Sequence, residues 1–140
     1  MRPTLSLRIA AVIMVLHAMG HTYGIYTWKR TTGPVPQEVV KVMNETNFPF
    51  NRAEGNMAKF YDGLGYASTI ALLLAASVLW IVSGFPTENS ALSVKVLLPV
   101  ALFLFLLGVD EVIYFFPMAA VFSFAATLLT AWAIFRLKKS

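Results

Sequence analysis

From Ala91 to Leu137 the chain runs 47 residues that are apolar almost throughout, broken only near the middle by Gly108-Val109-Asp110-Glu111 and Pro117. A bilayer core about 30 Å thick is crossed by roughly 20 helical residues. The stretch is therefore too long for one span and right for two, about Ser90–Gly108 and Phe116–Leu137. Two further segments meet the same requirement, about Leu5–Trp28 and Met57–Phe85. Composition agrees: 58% of residues are hydrophobic and 13% charged, where a soluble domain runs near 45–50% apolar and about 25% charged. The expected fold is all-α, a four-helix transmembrane bundle forming a single membrane domain over residues 1–140.

Arg2 and Arg8 precede an apolar run, and Ala18-Met19-Gly20 follows it, as in a secretory signal peptide. The apolar character continues through Ile25, which favours an uncleaved first span. With no cysteine in the chain, disulfides, iron–sulfur clusters, zinc-thiolate sites and dithiol chemistry are excluded. The net charge of +4 comes with no basic stripe and no nucleic-acid motif, so nucleic acid is not an expected partner. The lipid bilayer is, with partner membrane subunits or further copies of the chain as additional candidates.

Residues 29–56 form the one long polar connection. Thr31-Thr32-Gly33-Pro34-Val35-Pro36 reads as a turn, and Pro36 suits the first turn of a short helix through about Asn44. Val35, Val39, Val40 and Met43 fall on one face of it, with Glu38 and Lys41 elsewhere. This is the pattern of an amphipathic helix lying on the membrane surface. Phe48-Pro49-Phe50 then reads as an interfacial anchor.

Four spans put both termini and the 84–95 loop on one side. That side carries a net charge of +5 and the other −1, with six Lys and Arg against five. The positive-inside rule then places both termini in the cytoplasm. Small residues recur every four positions at Gly63, Ala67, Ala71 and Ala75, and again at Ala119, Ser123, Thr127 and Ala131, with Gly20 and Gly24 as a shorter pair. Such rows predict helix–helix contacts. The third span lacks one, and Leu97, Leu98 and the run Leu102 to Leu107 make it the expected lipid-facing or oligomer-facing helix.

Under this topology the ionisable residues near the spans gather toward the outer side. His17 and His21 lie late in the first span, Tyr61 and Asp62 open the second, and Asp110, Glu111 and Tyr114 lie at the turn between the third and fourth. Burying such groups in a bilayer costs several kcal/mol by most estimates, which makes His17, His21, Tyr61, Asp62, Glu111 and Tyr114 the candidate ligand-binding set. His17 and His21 stand four apart, on one helical face, and form a candidate metal site with a carboxylate from another helix, Asp62 first, with Asp110 and Glu111 as alternatives. That face cannot supply both axial ligands of one haem, although a single ligand is compatible with it. No cofactor is required by the sequence. The structural alternatives are histidines bonded within the bundle, Asp62 as a helix cap, and Asp110-Glu111 as a solvated turn. Trp80 and Trp132 read as anchors on the cytoplasmic side.

The elements Gly20-His21-Thr22-Tyr23-Gly24 and Phe60-Tyr61-Asp62-Gly63-Leu64-Gly65, with Trp80 and Tyr114-Phe115-Phe116-Pro117, give a wider pattern. It resembles a family of small uncharacterised bacterial four-span membrane proteins with G-H-x-x-G-like and F-x-x-G-x-G-like elements. A more distant architectural likeness is to the DoxX-like four-helix proteins. The resemblance implies four helices in a bacterial inner membrane and no particular activity. Two functions follow as expectations: an outer-leaflet polar and aromatic pocket that binds or acts on a small apolar molecule, a lipid or a metal, or a non-catalytic accessory subunit of a larger membrane complex.

Overall fold

The computed structural model describes residues 2–50, 53–85 and 89–139. Arg52 and Glu88, used in the charge count, and the centre of the Gly84–Ser90 turn lie outside the described residues. Four long apolar helices are present: α1 (Pro3–Thr27), α3 (Met57–Ser83), α4 (Ser90–Tyr114) and α5 (Pro117–Leu137), each long and apolar enough to cross a membrane. A short helix, α2 (Pro34–Glu45), and a hairpin of β1 (Asn47–Phe50) and β2 (Ala53–Asn56) join α1 to α3. The chain divides into two compact units, one of residues 1–18 and 72–140, the other of residues 19–71.

In the first unit the core is built from one face of each long helix. Leu7, Ala10, Met14 and Ala18 come from α1, Leu72, Ala75, Ala76 and Leu79 from α3, Leu97 and Leu104 from α4, and Ala126, Ala133 and Ile134 from α5. Leu97 and Leu104 are fully buried, which corrects the expectation for them; Leu98, Leu102, Phe105 and Leu106 on the same helix are exposed, as expected of a face toward lipid. The buried side of α5 is Ser123, Ala126, Thr130 and Ala133. The expected row Ala119, Ser123, Thr127, Ala131 shares only Ser123 with it. A strict step of four residues overshoots the 3.6-residue turn by about 40° each time, so the row slides off the interface. Gly20, Gly24 and Gly63 have open space where a Cβ would stand, and they make no close helix contact of the kind the spacing suggested.

The third span runs six residues past the expected end at Gly108, to Tyr114. Pro117, rather than Gly108 or the acidic pair, sets the break. Proline forces the residue before it out of the helical region, and Phe116 is extended (φ −143°, ψ 148°) with Pro117 opening α5. Asp110-Glu111 is therefore helical and not a solvated turn. Gly108 lies against α5, where a Cβ would come within 2.9 Å of the Phe124 ring. Pro99 sits inside α4, which continues on both sides of it. At the other end of this unit, the Arg8 guanidinium lies 5.4 Å from the Trp80 ring centre and its Nε donates to Ser83 Oγ at 3.4 Å.

In the second unit, Gly33 (φ +100°) turns the chain into α2 and Pro34 opens it. The positive φ is one that side-chain-bearing residues rarely adopt. The surface helix agrees with expectation; the hairpin is new. Phe48-Pro49-Phe50, expected as an anchor, is its first strand, paired antiparallel from Asn47↔Asn56 to Phe50↔Ala53. The absent side chain of Gly55 leaves room for the Phe48 ring opposite. Asn56 closes the hairpin and caps α3, its Oδ1 accepting from the amides of Ala58 (3.0 Å) and Lys59 (3.3 Å), while its Nδ2 donates to the Asn44 carbonyl at the end of α2. Asp62 does not serve as the cap. Asn56→Ala is expected to destabilise this unit by about 1 kcal/mol, read as faster amide exchange at Ala58 and Lys59.

Candidate functional site

Two polar centres are built, one in each unit. In the first, His17 Nε2 lies 3.1 Å from Glu111 Oε1, and both side chains are more than nine-tenths buried. Ser123 Oγ stands 3.5 Å from His17 Nδ1. The Phe122 ring covers the imidazole at a centroid distance of 5.6 Å. Three spans thus contribute: α1 the imidazole, α4 the carboxyl group and α5 the hydroxyl. Helical continuation past Gly108 is what turns Glu111 inward, three residues on and close to one turn further along the same face. Glu111 Oε2 is buried and has no hydrogen-bond partner among the described residues. Tyr114, one turn later, is 75% exposed and takes no part in the burial.

In the second unit, Asp62 accepts two hydrogen bonds, from Trp28 Nε1 at 2.8 Å and from Lys29 Nζ at 2.6 Å. The Trp28 and Tyr61 rings meet in a tilted contact, centroids 4.8 Å and planes 59° apart. Asp62 therefore holds the indole by its N–H edge, and the indole in turn sets the Tyr61 ring. Beside this pair lies an open cavity of about 420 Å³. Trp28 and Tyr61 form part of its lining, and the apolar face of α2 supplies Val35, Val39, Val40 and Met43, with Thr31 and Pro36 at the same surface. The size falls in the range of small-molecule sites, roughly 300–1,000 Å³. Lys29 and Arg30 are exposed at the end of α1, the latter with its guanidinium 4.8 Å from the Tyr26 ring centre.

Of the expected residues, His17 and Glu111 are brought together in the first unit, and Tyr61 and Asp62 in the second. His21 is half-buried one turn after His17 on α1. Among the described residues no group of three or more His, Asp and Glu is placed to hold a metal ion. The sequence pattern assigns no site role to Ser123, Lys29 or Asn56, although Ser123 falls in a small-residue row. Ser123 does carry a signal, being a hydroxyl in the middle of an apolar span, but its spacing marks it only as a small residue. Trp28 has the position of a belt residue, and its bond to Asp62 joins residues 34 apart that no local spacing connects. Comparison of the chain with known protein families, with curated proteins and with solved structures finds no match.

Proposed function

We propose that this is a multi-pass protein of a bacterial inner membrane, with both termini in the cytoplasm, that binds a small apolar or single-chain lipid-like molecule against α2 at the outer surface. The observation that carries the reading is the open cavity of about 420 Å³ walled by the apolar face of α2 and by the Trp28–Tyr61 pair. An amphipathic helix alone would bury its apolar face in the acyl boundary. Here that face instead helps to wall a cavity whose aromatic side is held in place by the Asp62–Trp28 hydrogen bond. Rigid aromatic walls suit an alkyl chain or a flat apolar body, which need contact area more than hydrogen bonds. Orientation is supported by the six-to-five distribution of Lys and Arg.

The test uses protein in detergent with Trp80 and Trp132 replaced by Phe, which leaves Trp28 as the sole indole. Titration with a chain-brominated fatty acid is expected to quench Trp28 saturably, at one ligand per chain. Val39→Asp sets a carboxylate against the alkyl chain and is expected to raise half-saturation ~10-fold, equivalent to about 1.4 kcal/mol. Quenching that never saturates, or that Val39→Asp leaves unchanged, would remove the reading.

A further inference from the structure

We propose that His17 and Glu111 form a proton-binding site within the spans, one that takes up and releases a proton as a single unit while the bundle stays folded. The site is independent of the α2 cavity and rests on different residues. Its geometry is a direct contact, 3.1 Å from Nε2 to Oε1, between two groups buried on membrane helices. Acidic and imidazole groups inside membrane spans are rare, pair with one another, and mark ion pathways and proton relays.

The contact admits two arrangements of one proton. On Nε2 it makes an imidazolium–carboxylate pair; on Oε1 it makes a neutral imidazole and a carboxylic acid. The charged form gains a charge-assisted bond, but it leaves carboxylate charge on Oε2, which is buried without a hydrogen-bond partner among the described residues. The neutral form relieves that charge and gives up the stronger bond. These terms oppose each other. Ser123 Oγ, 3.5 Å from Nδ1, both donates and accepts, so it serves whichever form the imidazole takes. Loss of the shared proton leaves a neutral imidazole beside a carboxylate; gain of another gives an imidazolium beside an acid. Where two ionisable groups interact strongly, each proton step belongs to the pair and not to either group.

Other charges on the contributing helices do not replace this pairing. On α1, Arg8 is engaged by Ser83 and Trp80, and the remaining titratable groups are His21 and the exposed Tyr23 and Tyr26. On α4, Asp110 and Tyr114 are exposed, and Lys95 lies near the other end of the helix. The part of α3 in this unit, residues 72–83, has no titratable side chain, and α5 has none before Arg136.

The chain has only two histidines, so protein labelled with ¹⁵N-histidine in lipid bilayers gives a short imidazole spectrum, with His17 assigned by H17N. On changing pH, the His17 Nε2 resonance is expected to move in one reversible step. The infrared carboxyl absorption removed by Glu111→Gln is expected to change in that same step. E111Q, which keeps the size and a hydrogen-bonding head, is expected to alter the imidazole transition. The proposal fails if the His17 resonance stays in place wherever the wild-type protein remains folded. It fails equally if imidazole and carboxyl change in separate steps, or if E111Q leaves the imidazole transition as it was. Where H17N does not fold, H21N assigns His17 by difference, since the chain has two histidines, and the wild-type spectrum still decides the first point.

Discussion

His17→Ala is expected to destabilise the protein by about 3–5 kcal/mol, the usual cost of removing one partner of a buried pair. The loss exceeds that of the ring's packing because Glu111 would then have neither carboxyl oxygen paired; Oε2 already lacks a partner among the described residues. Glu111→Ala is expected to cost less than His17→Ala, since a neutral imidazole left behind retains Ser123 and the Phe122 ring as neighbours. The informative comparison is with the double variant His17→Leu/Glu111→Leu. Replacing a buried pair by apolar residues of similar volume is often neutral, so the double variant is expected to be more stable than His17→Ala. Reversible unfolding in mixed micelles, followed by helical circular dichroism, measures all three. A double variant as unstable as His17→Ala would show that shape at this site, rather than pairing, sets the cost.

Gly108→Leu is expected to reach about 3 kcal/mol, the upper part of the overpacking range. A single Cβ at this position would come within 2.9 Å of the Phe124 ring, and an isobutyl group has no space between α4 and α5 unless that ring leaves. Gly108→Ala requires only the Phe124 ring, and no backbone, to shift, and is expected to cost far less. Phe124→Ala opens the space, so the pair Gly108→Leu/Phe124→Ala is expected to recover much of the loss that either change produces alone. The same unfolding assay reads the coupling as a double-mutant cycle.

Hydropathy and length locate α1, α3 and α5 to within two residues at each end, because the bilayer thickness dictates how much apolar chain must be supplied. The inner faces are not legible by the same means. A helix that is apolar all round shows no contrast between its lipid side and its protein side. Leu97, fully buried, and Leu98, half exposed, are the same residue type one position apart. What does mark the inside is polarity: Ser6, His17, Ser83, Ser93, Glu111, Ser123 and Thr130 are all buried. Each sits where a neighbouring helix or its own backbone can take its hydrogen bond, since lipid offers none. The acidic pair misleads for a related reason. Asp110-Glu111 is turn-like in composition, but Pro117 places the break beyond it, and the partner on α1 accounts for the burial of Glu111.

The link between α4 and α5 is only Phe115 and Phe116, and this bears on how the protein is made. Two apolar helices joined by two residues cannot be delivered to the bilayer at separate times, because the connection is too short to wait in water while one partner inserts. They must enter the bilayer together as a hairpin, with Asp110 and Glu111 near its tip. In the orientation proposed above, Glu111 crosses the hydrocarbon once during biosynthesis, before it comes to rest against His17.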